Sequence, residues 1–321
     1  MSRITALSML TEAEGKAYLA ERYGAVIEGL QKSLVSASMK NKELSGDPDA
    51  GSLEAKRFVN ASAKTYGTAR TAGKGDKVKA QAVTVQLDQD KEIIEELAEK
   101  DVRLLGVEGV IDRRTNNHVL VMNSELDKKF FACAADNATS VNLTGYDKIE
   151  DKLEAFIQEL ETTQNDFVDG IPREIMRLVL SPKYYGLIRN QLDKQERANV
   201  DTGTESFNVW HGVETQSCVH LPTGVDAVIM ADGAVAQPVY SNGYKAEKIP
   251  LSDDYAVELF FYYGTKAVTP DLIFKPATFT KVNTASETYD SSKTYYTESN
   301  GVYTVAEITS FASGTTYYTM N

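Results

Sequence analysis

The chain has 321 residues, 42% hydrophobic and 25% charged, with a formal net charge of −12. This is the composition of an ordinary globular protein with enough length for one large core or two smaller ones, and the acidic balance argues against a general nucleic-acid binder, which carries a basic domain. No apolar run approaches the ~20 residues that span a bilayer, acids enter the N-terminal region too early for a secretory signal, and Cys133 and Cys218 are too few for a disulfide framework; synthesis in a cytoplasm, buried reduced thiols and no membrane partner are expected.

Residues 10–44 carry a helical pattern, with Tyr18, Leu19, Tyr23, Val26, Ile27, Leu30 and Leu34 on one face and Thr11-Glu12-Ala13-Glu14 resembling a capping box. Gly15, Gly24 and Gly29 weaken the pattern, which suits an arm packed on something outside itself. Ser45-Gly46-Asp47-Pro48-Asp49 then reads as a linker.

Residues 51–79 form the most distinctive stretch. Lys56, Arg57, Lys64, Arg70, Lys74, Lys77 and Lys79 stand against only Glu54 and Asp76. Short alternating runs at 56–59 and 78–87 flank a middle rich in Gly, Thr and Ala, the pattern of a β-hairpin with a loose tip. A hairpin so poor in large side chains is marginal alone, so it is expected to rest on another subunit. It lacks the clustered aromatics of a single-strand nucleic-acid platform. An acidic segment follows directly, and Glu92, Glu95, Glu96 and Glu99 are its candidate counter-surface on an identical copy. The alternative is two separately solvated charged faces.

Residues 107–137 support a long helix, or two shorter ones broken at Thr115-Asn116-Asn117-His118. A second helix is expected over 147–160, capped by Asp147, with Ile149, Leu153, Phe156, Ile157 and Leu160 on one face. A buried strand at 175–180 precedes Ser181-Pro182, a serine cap and first-turn proline that open a short helix through Leu192. Strands follow at 207–210, 215–221, 227–230, 234–239 and 257–263. Turns are expected at Pro222-Thr223-Gly224, Ala231-Asp232-Gly233 and Ser241-Asn242-Gly243. From about residue 279 the chain turns to Thr, Ser and Tyr. Tyr289-Asp-Ser-Ser-Lys-Thr-Tyr-Tyr-Thr297 returns as Phe311-Ala-Ser-Gly-Thr-Thr-Tyr-Tyr-Thr319, with Asn300-Gly301 between, which suggests a small displayed β element.

Motifs for catalysis fail one by one. Asp201-Thr202-Gly203-Thr204 matches the aspartic-protease tetrapeptide but has no second copy to share a proton with. His211, Cys218 and His220 lie close in sequence, the last two on one face of an expected strand, yet no spaced partner completes a zinc site. Ser217 lacks a glycine-flanked nucleophile motif, and residues 71–77 lack phosphate-loop spacing. Asn60-Ala61-Ser62, Asn137-Ala138-Thr139 and Asn142-Leu143-Thr144 match the glycosylation pattern, which carries no weight without a secretory signal. No catalytic residue, cofactor or metal is expected.

The order of segments, together with Asp151 to Phe156, Ile171 to Tyr185 (IPREIMRLVLSPKYY), Leu221-Pro-Thr-Gly, Ile229 to Pro238 (IMADGAVAQP) and Tyr262 to Val268, resembles the tailed-bacteriophage major capsid proteins of the HK97 fold over about residues 1–278. The resemblance implies an α+β capsid fold with an N-terminal arm (1–45), an extended hairpin or E-loop (46–90), a P-domain with the spine helix (91–146), an A-domain (147–250), closing strands (251–278) and the appendage (279–321). It implies a non-enzymatic shell subunit that assembles with itself as hexamers and pentamers into an icosahedral head around double-stranded DNA, held by weak non-specific contact. A separate scaffolding protein and a portal would be partners, because no coiled-coil stretch precedes the arm. The setting would be the virion, assembled in a bacterial cytoplasm. An encapsulin-like compartment shell is the alternative, and a dimeric hydrolase using Asp201 a distant one.

Overall fold

The computed structural model describes residues 4, 6–71, 75–103, 105–193, 208–284 and 286–321. Lys74, Asp201 and the Arg70 side chain fall outside them. The chain divides into two compact units, one made of residues 1–57, 81–133 and 235–268, the other of 58–80, 134–234 and 269–321.

In the first unit, a three-stranded antiparallel sheet places Tyr255–Tyr263 between Gln89–Leu97 and Val239–Lys248. Strict alternation decides which side is covered. Tyr255, Val257, Leu259, Phe261 and Tyr263 are buried, and the residues between them are not. The buried side meets two helices, Ala13–Ser33 through Leu19, Val26 and Leu30, and Gly106–Asp136 through Ile111, Met122 and Leu126. The latter is a single continuous helix. Thr115 and His118, poor helix formers in isolation, are both buried, and tertiary packing overrides propensity there. Asp127, also buried, accepts from the backbone N–H of Val35 and Ser36 at 3.3 and 3.1 Å and so fixes the chain just beyond the first helix.

Several local expectations are corrected. The N-terminal helix ends at Ser33 rather than running to residue 44, and a 3-10 turn follows at Val35–Ser38. Thr11 forms no capping box; its hydroxyl donates to Ser8 O at 3.0 Å. Gly15 is demanded by close packing, since a Cβ there would sit 2.1 Å from Met9 O. The acidic segment after the hairpin is the strand Gln89–Leu97, and Ser241-Asn242-Gly243 is a bulge inside Val239–Lys248. A bulge inserts residues without ending the pairing, which the turn-like composition concealed.

In the second unit, a six-stranded mixed sheet runs Thr139–Val141, Ile273–Pro276, Ala227–Ala231, Met176–Leu180, Val213–Ser217, Val209–Trp210. Ala227–Ala231 is buried at every position. The helix Ile149–Glu161 lays Leu153, Phe156, Ile157 and Leu160 into the core of this unit, and Pro182–Asp193 adds Ile188. Ser181 opens that second helix as expected, with Oγ accepting from Tyr184 N at 3.4 Å. Asp147 does not cap the first; Lys148 occupies its N-cap without a side-chain bond.

Residues 279–321 build a four-stranded antiparallel sheet, ordered Phe279–Lys281, Tyr318–Met320, Tyr295–Ser299, Val302–Ala306. The sequence repeat becomes a local pseudo-two-fold, because Tyr296 pairs with its own equivalent, Tyr318. Each copy also repeats one hydrogen bond. Asp290 N donates to the Tyr295 hydroxyl at 3.1 Å, and Ala312 N to the Tyr317 hydroxyl at 3.3 Å. Asn300 and Gly301, at φ 53° and 81°, make the two-residue hairpin turn that such a pair favours. The Asn142-Leu143-Thr144 segment clamps this sheet at its edge: Asn142 Nδ2 donates to Tyr303 O at 2.7 Å, and Tyr303 N to Thr144 Oγ1 at 3.1 Å.

Candidate functional site

The basic hairpin consists of Ser52–Phe58 and Ala80–Gln86 with residues 59–79 between them. Its root has a core, where Leu44, Ala55 and Val85 pack with Ala236 and Val268. No Cβ fits at Gly264, because it would lie 1.8 Å from Gln86 O. Gly264→Ala is therefore expected to displace the hairpin root and cost about 2–4 kcal/mol, read as a lowered denaturation midpoint; a midpoint equal to wild type would refute the close approach.

Beyond the root the described residues of the arm have no interior. Among the described residues from 58 to 84, none is buried. Phe58, Tyr66 and Val78 are 58%, 87% and 85% exposed. Burying such side chains is worth about 1.5–3 kcal/mol each, a gain the isolated subunit forgoes. Lys56, Lys77 and Lys79 are exposed on the arm, and Arg57 is half-buried. Lys64 lies 2.6 Å from Asp76, which it holds below the usual carboxylate range. Thr68–Thr71 adds one helical turn near the tip.

The four acids named as a counter-surface separate. On Gln89–Leu97, Glu92 and Glu96 point to the open side of the sheet with Asp90 and Ile94. Glu95 points inward, where Arg114 grips it with Nε 2.8 and 2.7 Å from its two oxygens. His118 lies beside it, 3% exposed, with Nδ1 2.6 Å from the Tyr244 hydroxyl. Its Nε2 is 3.2 Å from Glu95 Oε2, near enough for attraction but not aligned as a hydrogen bond. Burial pushes the His118 imidazole down, against the opposing pull of Glu95. Burial would raise Glu95, yet Arg114 and His118 together hold it low. Glu99 lies off the sheet, exposed on the short helix Glu99–Val102.

What alternation alone did not reveal is the company Glu92 and Glu96 keep. The pairing register puts Asp90 opposite Tyr262, which pairs in turn with Tyr240, Glu92 opposite Phe260, and Glu96 opposite Ala256, which pairs in turn with Glu247. Tyr240 and Tyr262 stack with ring centroids 5.6 Å apart, and Phe260 lies 6.1 Å from Tyr262. The open side of this sheet thus carries aromatic rings bordered by Asp90, Glu92, Glu96, Glu247 and Glu258, with Lys245 opposite Glu258. Carboxylates and aromatic faces together suit lysine and arginine side chains.

The residues examined for catalysis are not brought together. Cys218 and His220 lie past the end of the strand Val213–Ser217, where His220 N donates to Cys218 Sγ at 3.3 Å, so they do not share a strand face. His211 occupies a tight turn at φ 48° and places Nδ1 2.5 Å from Glu154 Oε2. Arg173 completes that cluster, 2.8 Å from Glu154, 2.7 Å from Glu161 and 3.0 Å from His211 O. Its guanidinium, with His211 and Gln158, holds the Glu154 carboxyl at about 2. This is a pinning network with every charge answered. Among the described residues no group of His, Cys, Asp and Glu could hold a metal, and no helix is long and apolar enough to cross a membrane.

No protein-family model and no curated protein matches this sequence. Its structure does find neighbours. It matches a chain from Mycobacterium phage Che8 with a TM-score of 0.57 at 18% identity, covering 76% of this chain and 90% of that one. It matches the capsid of cyanophage P-SCSP1u with a TM-score of 0.51 at 13% identity, covering 74% and 84%. A virus-like particle from Pyrococcus furiosus matches with a TM-score of 0.50 at 12% identity, covering 81% and 99%. With 34% of its residues helical and 31% in strands, the chain has the HK97-like fold of phage major capsid proteins.

Proposed function

We propose that this protein is a phage major capsid protein, a structural subunit that assembles with itself as hexamers and pentamers into an icosahedral head enclosing double-stranded DNA. The observation that carries this reading is the arm. A chain of HK97-like fold that extends residues 58–84 with no buried side chain among those described has built a surface for another copy. In these terms the hairpin is the E-loop, Gly106–Asp136 the spine helix, and the six-stranded sheet with its two helices the A-domain. Many weak contacts around a closed shell add up to a stable particle. The sheet face bearing Glu92 and Glu96, with Glu92 next to the Phe260–Tyr262–Tyr240 rings, offers a basic arm both charge and stacking. Glu95, engaged by Arg114, and Glu99, off the sheet, take no part in that face. A separate scaffolding protein and a portal are the expected assembly partners, and the virion the expected location.

Similarity to a virus-like particle from Pyrococcus furiosus supports a second reading, an encapsulin-like compartment shell. Negative-stain electron microscopy and light scattering on the purified chain, alone and with neighbouring phage-type gene products, test the shell. Closed particles or capsomers are expected, and a monomer under every condition would overturn it. Nuclease-protected DNA inside the particles favours the head; enclosed protein cargo without DNA favours the compartment.

A further inference from the structure

Of the three histidines, only His118 is buried. It stands within Gly106–Asp136 on the side that meets the three-stranded sheet, so its ring cannot reach water unless the helix moves. Its two nitrogens face different partners. Nδ1 lies 2.6 Å from the Tyr244 hydroxyl and Nε2 3.2 Å from Glu95 Oε2. A neutral ring in this setting carries its hydrogen on Nε2 and accepts from Tyr244 at Nδ1. Yet Nε2, shielded from solvent, makes no hydrogen bond. The cause is Arg114, one turn earlier on the same helix. Its Nε lies 2.8 and 2.7 Å from the two Glu95 oxygens and its Nη2 also meets Oε1, so the guanidinium fixes the carboxylate and leaves His118 out of line beside it. Native folds seldom leave a buried donor idle beside an acceptor it could use.

Among the described residues, the titratable groups around the ring are Glu95 from Gln89–Leu97, Tyr244 from Val239–Lys248 and Arg114 from its own helix. Tyr255–Tyr263 contributes Val257 to the lining, and Ala13–Ser33 contributes nothing. With His118 neutral, one carboxylate answers one guanidinium. A proton on His118 makes two cations for that carboxylate. The cavity beside the ring, about 10 Å³, has room for one water at most, so the added charge cannot be hydrated where it stands. Burial and Arg114 both disfavour the charged ring, and Glu95 favours it. One of the two cations is free to leave. Arg114 has 44% of its side chain exposed and already touches Asn117 Oδ1 at 3.1 Å, whereas His118 is enclosed.

We propose that Glu95 exchanges its cation on acidification: when His118 takes up a proton, Glu95 turns to pair with it and Arg114 swings out into solvent. The proton enters at Nδ1, which then donates to the Tyr244 hydroxyl. That hydroxyl turns its own hydrogen toward Thr115 Oγ1, whose hydrogen already goes to Ile111 O at 2.9 Å. Every donor in the cluster then has an acceptor, and the enclosed Glu95–His118 pair carries no net charge. Outwardly, the exchange frees a guanidinium next to exposed Arg113, so the surface of this helix becomes more basic in acid. The switch belongs to the subunit and stands whether or not the shell reading does.

Hydrogen exchange at the imidazole C2 position, read by mass spectrometry on the full chain, follows each histidine separately, with His211 and His220 as internal references. His118 is expected to take up its proton below the ordinary value of 6.5 while the subunit is still folded. Because the unfolded chain takes up that proton first, stability is full above about 6.5 and declines as pH falls below it. Arg114→Gln removes the repulsion and frees Glu95, so it is expected to raise the proton affinity of His118 at least about tenfold. Crystal structures of the wild-type chain on either side of the His118 transition read the exchange itself. Above it Arg114 holds Glu95; below it His118 is expected on Glu95, with Arg114 in water. Arg114 still holding Glu95 beside a charged His118 would overturn the switch, as would a His118 that stays neutral until the chain unfolds. Both wild-type measurements decide the matter even if Arg114→Gln fails to fold.

Discussion

Reversing Lys56, Lys77 and Lys79 to Glu is expected to leave the melting temperature of the subunit within about 2 °C of wild type while preventing closed particles from forming. All three side chains are exposed, and the nearest intrachain carboxylate to Lys56 is Glu54 at 4.0 Å, an exposed pair. Such pairs contribute about 0–1 kcal/mol, and exposed substitutions usually stay within ~0.5 kcal/mol. At an interface the same change turns attraction into repulsion. Like charges brought together cost several kcal/mol per contact, and a shell repeats each contact over every subunit. The concentration needed for assembly should therefore rise by roughly 100-fold or more. Light scattering against concentration reads the first effect and calorimetry the second. Subunits that assemble normally would show that the arm makes no charged contact, and subunits that unfold would show that it serves the fold of its own chain.

Arg173→Met is expected to destabilise the six-stranded unit by about 2 kcal/mol, roughly 4 °C in Tm. The guanidinium answers Glu154, Glu161 and the His211 carbonyl at once, and its loss leaves two carboxylates without their cation. A fully buried pair broken this way costs ~3–5 kcal/mol. With side chains of Arg173, Glu154 and Glu161 exposed by 27%, 28% and 37%, water recovers part of that. The pH dependence supplies a second reading. Arg173 is the chief reason that Glu154 titrates at about 2 in the folded protein rather than near the usual 4.5. As pH falls below 4.5 the unfolded chain takes up the proton first, so the contribution is full above that pH and disappears as pH approaches 2. In Arg173→Met the slope of stability over this window should flatten. An unchanged acid limb in chemical denaturation would mean that the cluster does not act through Arg173.

Much of the architecture was legible in the sequence, for identifiable reasons. Ile149–Glu161 follows from its apolar stripe, although Asp147 does not cap it, and Pro182–Asp193 from its Ser-Pro start. The arm was legible through what it lacks: a stretch with lysines and glycines and few large side chains cannot form its own core. The Asn-Gly turn and the Tyr-Tyr-Thr repeat specified the appended sheet, because a two-residue turn and a recurring strand signal are local facts.

Tertiary structure decided the rest. Gln89–Leu97 is rich in glutamate, a poor strand former, and becomes a strand only because Tyr255–Tyr263 pairs along its whole length. The same pairing splits the acids by parity, turning Glu95 in toward Arg114 and His118 and leaving Glu92 out beside Phe260 and Glu96 out beside Ala256, both on a strand 160 or more residues later. The left-handed, solvent-exposed Leu251 is equally invisible in sequence, since Pro250-Leu251-Ser252 has no composition that demands it. Sequence fixed which segments could stand alone and which needed a partner, through local propensity and the balance of apolar surface. Which side chains face that partner depended on register between distant strands, and register is set by the whole sheet at once.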